Sequence, residues 1–390
     1  MGLIFILIIM CFTSLFSLYN AFNLIKTGSG ISYLLKQLLW YIVGFATMIF
    51  LSSLQNDVVF KYMKRAYNIL MGMLVYLVAS RLLYSFVGYY LPFAPIINGA
   101  CSWFSIPLIG SFQPSEFIKI VLIVLLAQTI NEHQQKHSNP TLKSDFWLLL
   151  KAARLLIPAL ILIFIQPDTG LCIIICFNAL IILLCCGLRK EYIIILGVMV
   201  VGVLGLFFYL YTYQQDLLVS LFSSYRVQRI EAWLDPESYI LGSSNQLYTS
   251  LLSLGSAGLT GFGMQANIIS IPEAQTDFIF AAVGQCFGFL GTTSILLICL
   301  ILDLYLCKIA YNTANKTDRL IVVGIIGMLM YQQLQNMGMI VGLLPITGIT
   351  LPLISYGGSS ILSYFIAFSI VINISPPTKR TINLFHRSKS

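Results

Sequence analysis

Residues 271–284 read IPEAQTDFIFAAVG. An acid, Asp277, stands directly before a run that stays apolar to about residue 306. Such a run exceeds the roughly 20 residues a helix needs to cross a bilayer. The stretch is therefore a membrane span with a carboxylate at its threshold.

The rest of the chain agrees. Of its 390 residues, 58% are apolar and 9% charged, against roughly 45–50% and about 25% in soluble globular proteins. A soluble enzyme is excluded, and an all-α polytopic membrane protein is expected. The net charge of +8 is no nucleic-acid footprint, because the basic residues alternate with apolar runs and act as topology signals. No small-residue cleavage site follows the first apolar segment, so it reads as a retained helix. The nine cysteines form no C-x-x-C pair, and most lie in apolar runs, as small hydrophobes do. His133 and His137 fall in the polar stretch NEHQQKHSNP, a solvated loop rather than a metal site.

Ten spans are expected, at about 2–24, 33–54, 66–86, 115–130, 147–165, 169–187, 192–211, 278–306, 320–343 and 359–375. With the N-terminus in the cytoplasm, 16 of the 22 Lys and Arg residues fall on the inner side and 6 on the outer. The positive-inside rule thus places both termini in the cytoplasm. One membrane domain covers 1–390, with a large outer loop at about 212–277 between spans 7 and 8 and a cytoplasmic tail at about 376–390. No internal repeat is visible.

Three of the 14 acids stand at the outer ends of spans: Glu116 in SFQPSEFIKI, Asp168 in IFIQPDTGL, and Asp277. Ionisable groups at such positions face a cavity or a partner. Each also has a structural alternative. Asp277 caps the helix it precedes, Ser115 caps the fourth span, and Asp168 is a turn residue. Lys119, three residues after Glu116 on the same helix face, either pairs with it or faces a polar cavity. In the large loop, Arg226 and Arg229 lie on an amphipathic segment, SSYRVQRIEAWLDPES. Arg suits phosphate through its planar fork; the alternative is an interfacial anchor with Trp233. The stretch LGSAGLTGFG, with Gly261 and Gly263, offers backbone N–H groups as an anion cradle.

Six segments in order carry a resemblance: SFQPSEFIK at 112–119 with its flanking residue, QPDTG at 166–170, SYRVQRIEAWLDP at 224–236, LGSAGLTGFG at 254–263, IPEAQTDFIFAAVG at 271–284 and NMGMIVGLLPITGITLPLISYGGSS at 336–360. The chain resembles the SEDS family (shape, elongation, division, sporulation), and the wording from Asn336 onward is closer to its RodA branch than to FtsW. The resemblance implies a peptidoglycan glycosyltransferase that polymerises lipid II at the outer face of the bacterial cytoplasmic membrane, working with a class B penicillin-binding protein. It implies Asp277 as the essential aspartate, Glu116, Lys119 and Asp168 as supporting groove residues, and Arg229 as the loop arginine. A divalent cation, Mg or Mn, is a possible cofactor. Two alternatives stand beside the enzyme: a low-activity scaffold for the class B protein, and a flippase for the lipid-linked precursor. Three departures from the family pattern matter, beside Gln275 in place of a histidine, a change that occurs readily. Cys101 and Ser102 replace an arginine pair, Phe262 replaces a lysine, and Gln285–Cys286 replace two glutamates.

Overall fold

Apolar helices occupy each of the ten expected segments, and among the described residues six further elements, one of them a short 3-10 turn at Phe22–Leu24, lie between them. The computed structural model describes residues 2–25, 29–96, 100–106, 110–137, 141–222, 224–240, 242 and 244–374. The cytoplasmic tail expected at 376–390 lies outside the described residues. The chain opens with α1 (Gly2–Asn20), α2 (Gly30–Ser52) and α3 (Asn56–Val87). A short hairpin, β1 (Phe104–Ile106) and β2 (Gly110–Phe112), pairs antiparallel with Phe104 opposite Phe112. Then come α4 (Pro114–Lys136), α5 (Leu142–Ile165), α6 (Thr169–Cys185) and α7 (Lys190–Tyr213). The large loop folds into α8 (Gln215–Phe222), α9 (Ser224–Leu234) and α10 (Asn245–Ala257). The chain closes with α11 (Ile279–Asn312), α12 (Lys316–Ile340) and α13 (Gly358–Ile374).

Eight of these helices are long and apolar enough to cross a membrane. α6 and α13, at 17 residues each, are shorter and sit near the lower limit of about 17 residues for a span. The α4 segment outruns its expected end at 130 and continues to Lys136. That extension buries His133, 3% exposed, with its Nδ1 3.4 Å from Lys151 Nζ; it is not in a solvated loop. The cysteines are all free, and Cys176, Cys185 and Cys307 are exposed rather than buried.

The core is organised around α4 and α12. In their most apolar windows, 72% and 67% of residues are buried. Apolar tails outside a protein match its interior in polarity, so close van der Waals packing drives such association. Gly324 of α12 shows the closeness: an added Cβ would lie 2.6 Å from Ile123 Cγ2 on α4 and 2.7 Å from Ile182 Cδ1 on α6. In contrast, none of the most apolar window of α7 is buried. That helix presents apolar side chains all round, which only lipid or another helix can satisfy.

Asp303 lies nine residues inside Asn312, the last residue of α11, or about 14 Å along the axis. There it is 8% exposed and accepts from Gln333 Nε2 of α12 at 3.3 Å.

Candidate active site

Asp277, Glu116 and Asp168 all come to the same end of the bundle, and each is held differently. α11 takes Phe278 as its N-cap, with no side-chain capping bond. The carboxylate of Asp277 therefore caps nothing, and the structural alternative for it falls. Its main-chain carbonyl is held instead, by Asn336 Nδ2 at 2.8 Å. Asp277 is half-buried. Burial and then the nearby Glu273 carboxylate push its pKa up to about 6, and the Arg229 guanidinium opposes them. Glu273 is itself turned toward Gln275 Nε2 and Thr276 Oγ1, both at 3.1 Å.

Arg229 reaches the site because α9 docks on the chain that follows α12. Its Nη1 donates to the Ile346 carbonyl at 3.3 Å, and Trp233 Nε1 to the Gly342 carbonyl at 2.9 Å. Val227 and Ala232 are buried beneath. α9 is thus a docked wall of the site rather than a free interfacial anchor. The side chain of Arg226 lies outside the described residues. Gly348, which is exposed with φ +72°, sits between the two charged groups. A Cβ on it would lie 3.5 Å from Asp277 Oδ2 and 4.0 Å from Arg229 Nη1. Its lack of a side chain keeps the space over both groups open.

Asp168 keeps its structural role. It is the N-cap of α6, accepting from Leu171 N–H at 3.2 Å, and its other oxygen accepts from Gln113 Nε2 at 2.9 Å. Burial pushes its pKa up to about 6. Within α4, Ser115 does not cap. Gln113 is the N-cap, without a side-chain bond, and Ser115 Oγ is buried without a partner. The hairpin holds this helix start through Ser359 Oγ, which accepts from Gln113 N–H at 3.1 Å and donates to the Ser111 carbonyl at 3.1 Å. Lys119 resolves to the pairing alternative. Its Nζ lies 2.6 Å from Glu116 Oε2 and 4.8 Å from the centre of the Tyr364 ring, with the residue 1% exposed.

Residues 347–349 connect the two groups of side chains. A Cβ on Gly170, two residues after Asp168, would meet Ile349 Cγ1 at 3.0 Å and the Thr347 carbonyl at 3.5 Å. The same three residues present Gly348 to Asp277. Asp168 and Asp277 thus flank one short segment of backbone.

The glycine stretch has a different job from the cradle expected of it. Gly261 N–H donates to the Ala257 carbonyl at 2.9 Å, Phe262 N–H to Gln285 at 3.0 Å and Gly263 N–H to Cys286 at 2.9 Å. Those amides are committed and do not offer an anion cradle at Gly261 and Gly263. Gly261 is needed for contact: a Cβ there would lie 2.4 Å from the Cys286 carbonyl, beside the bend of α11 at Gly288 (φ 60°, ψ −149°).

Two of the three departures from the family pattern are buried in packing, while Phe262 is exposed. Cys101 and Ser102 are 0% and 1% exposed, bonded to the Ala94 and Gln166 carbonyls. Gln285, 0% exposed, accepts from Ile268 N–H (2.7 Å) and Ile269 N–H (3.2 Å) and donates to Ser253 Oγ (3.0 Å) and the Ile269 carbonyl (2.9 Å). Only an amide can both donate and accept in this way. Restoring the family's acid with Gln285→Glu is expected to destabilise by on the order of 1–3 kcal/mol. Thermal unfolding of the variant beside wild type checks this.

Among the described residues, no group of three His, Cys, Asp or Glu side chains could hold a metal ion. The residues that sequence reasoning missed as site members are Asn336 and Gly348. Asn336 had a signal, because it ends a run of amides, YQQLQN at 331–336, inside a span.

Comparison with known proteins identifies the family and the fold. Stage V sporulation protein E of Bacillus subtilis is 34% identical over 281 residues, covering 71% of this chain and 72% of its own. A probable peptidoglycan glycosyltransferase FtsW of Geobacter sulfurreducens is 31% identical and covers 91% and 88%. The peptidoglycan glycosyltransferase MrdB of Escherichia coli is 31% identical and covers 72% of each. Relatives named for sporulation and as FtsW and MrdB match at nearly equal identity, which does not separate the branches. Among solved structures, one described as "Structural coordination of polymerization and crosslinking by a peptidoglycan synthase complex" matches with TM-score 0.72 and 24% identity, covering 96% of each chain. The rod shape determining protein RodA of Thermus thermophilus matches with TM-score 0.64 and 23% identity, covering 96% and 95%. Both share the fold. The family described as cell cycle protein, FtsW/RodA/SpoVE, matches residues 1–380, and the chain belongs to that family.

Proposed function

We propose that this protein is a glycosyltransferase that polymerises lipid II into glycan strands, with Asp277 as general base. The observation that carries the reading is a half-buried carboxylate that caps no helix, opposite an arginine, over an exposed glycine. Relatives named as peptidoglycan glycosyltransferases support the reaction class. In the step, the acceptor sugar's hydroxyl oxygen bonds to the donor's anomeric carbon. The bond from that carbon to the polyprenyl pyrophosphate breaks. The hydroxyl proton passes to Asp277, and the pyrophosphate leaves with the electron pair. A base with a pKa near the working pH suits this transfer. Arg229 supplies charge and fork geometry to the departing pyrophosphate. A Mg or Mn ion enters the proposal only as a counter-ion carried by that pyrophosphate.

The excess of Lys and Arg on one side supports cytoplasmic termini, and so a site at the outer face of the cytoplasmic membrane. There the lipid stays in the bilayer while its sugars reach Asp277. The fold match to a peptidoglycan synthase complex described as coordinating polymerization and crosslinking supports a crosslinking partner, which the family resemblance makes a class B penicillin-binding protein. The elongation role remains part of the proposal, resting on the wording from Asn336 onward. The scaffold alternative loses its main argument, since two of the three departures are buried in packing. The test is reconstitution of the full chain with its class B partner and labelled lipid II. Strands are expected; an assembled complex that makes none overturns the polymerase reading.

A pH profile adds a second check. Asp277 must be ionised to act, so log(kcat/KM) is expected to rise with slope one below about pH 6 and to level off above it. Arg229→Gln removes a neighbour that favours the anion and shifts this limb to higher pH. Glu273→Gln removes a repelling charge and shifts it lower.

A further inference from the structure

α12 carries four amides within five residues: Gln332, Gln333, Gln335 and Asn336. All are at most 5% exposed, in a helix apolar enough to span a membrane. Buried amides in that setting cost free energy unless bonded, and each of these has a partner outside α12. Gln332 Oε1 accepts from the Tyr364 hydroxyl at 3.0 Å, beneath Lys119. Gln333 reaches Asp303. Gln335 Nε2 donates to the Pro345 carbonyl at 2.9 Å.

Asn336 makes two bonds that span the site. Its Nδ2 donates to the Asp277 carbonyl at 2.8 Å and to the Ile349 carbonyl at 2.7 Å. One bond holds the backbone of the residue bearing the carboxylate. The other holds the segment whose Gly348 lies against Asp277 Oδ2 and Arg229 Nη1. Asn336 is 0% exposed, so it acts through these groups rather than on substrate.

We propose that Asn336 is a positioning residue, whose single amide sets the distance between the Asp277 backbone and residues 347–349 and thereby aims the carboxylate. The inference rests on Asp277 being the base. Two other bonds brace the same region: Tyr356 N–H donates to the Gln275 carbonyl at 2.9 Å, and Gln335 holds Pro345. Losing Asn336 frees two carbonyls to shift, and a misplacement of about 1 Å can cost on the order of 100-fold in rate.

The experiment compares wild type, Asp277→Asn, Asn336→Ala and Asn336→Asp in the full chain with its class B partner, using labelled lipid II. Asn336→Ala is expected to lower kcat about 10- to 100-fold while KM changes little, the mark of an interaction expressed in the transition state. Asn336→Asp has the same shape but, when ionised, nothing to donate. It is expected to be as poor at pH 8. Its activity relative to wild type should climb as pH falls and the new carboxyl gains a proton it can donate. Asp277, Glu273 and Arg229 face the same region, so the wild-type profile is measured in parallel and only the ratio is read. A kcat for Asn336→Ala within a factor of about three of wild type, with Asp277→Asn inactive, overturns the positioning role and leaves the base in place. Activity in Asp277→Asn overturns both. If Asn336→Ala does not fold, the ratio for Asn336→Asp decides, and a flat ratio rejects the proposal.

Discussion

Asp277→Asn should give a folded, partner-bound membrane protein that makes no glycan strands. The substitution keeps the shape and removes the base. General-base catalysis contributes typically about 10²–10⁴-fold, so polymer is expected to fall below detection. Folding should not suffer. The carboxylate caps no helix, and Asn336 bonds the main-chain carbonyl, which the variant keeps. A carboxyl with its pKa pushed from 3.8 to about 6 holds its proton in the folded state through a window where the unfolded chain has lost it. Its contribution to stability therefore declines as pH rises from 3.8 to about 6. Above that window the neutral Asn is at least as stable as the ionised Asp. An equal or higher melting temperature at pH 7.5, with no strands, is the expected pair of readings. Normal strands from the variant would falsify the base assignment.

Lys119→Met should behave in the opposite way, with a large loss of stability. Lys119 is 1% exposed and Glu116 8%, and they meet at 2.6 Å. Removing the lysine leaves Glu116 buried without its counter-charge, which typically costs about 3–5 kcal/mol. The double change Glu116→Gln with Lys119→Met removes both charges and should recover most of that loss, because a buried pair is often worth little against neutral groups of similar volume. Thermal unfolding of the single and double variants in lipid nanodiscs measures this. Equal losses in both would show that packing of the lysine over Tyr364, rather than the charge pair, holds this region.

The candidate site was partly legible from sequence. Asp277, Glu116 and Asp168 stood out because acids are scarce in this chain and each lies beside an apolar run. That placement follows from the cost of charge in hydrocarbon, which is readable one segment at a time. Lys119 was legible as a pair with Glu116 because three residues along a helix bring side chains together. The glycine stretch misled for a physical reason. A run of glycines advertises free amides, but whether they are free depends on which carbonyls lie opposite. Here those carbonyls belong to Gln285 and Cys286. The departures at 285–286 misled in the same way, since a lost charge matters to a site only if it faces it.

Sequence by itself determined the apolar helices, their order, and the acids gathered at their ends, because hydropathy and helical period are local properties of the chain. Tertiary structure decided what each acid does. Asp168 caps a helix through an amide three residues away, and Asp277 does not. Arg229 joins the site through a contact 117 residues distant, and Asn336 grips Asp277 across 59. No local rule brings those groups together. They meet because α12 packs at the centre of the bundle, where its polar turn has no water to bond and must find its partners in the neighbouring elements.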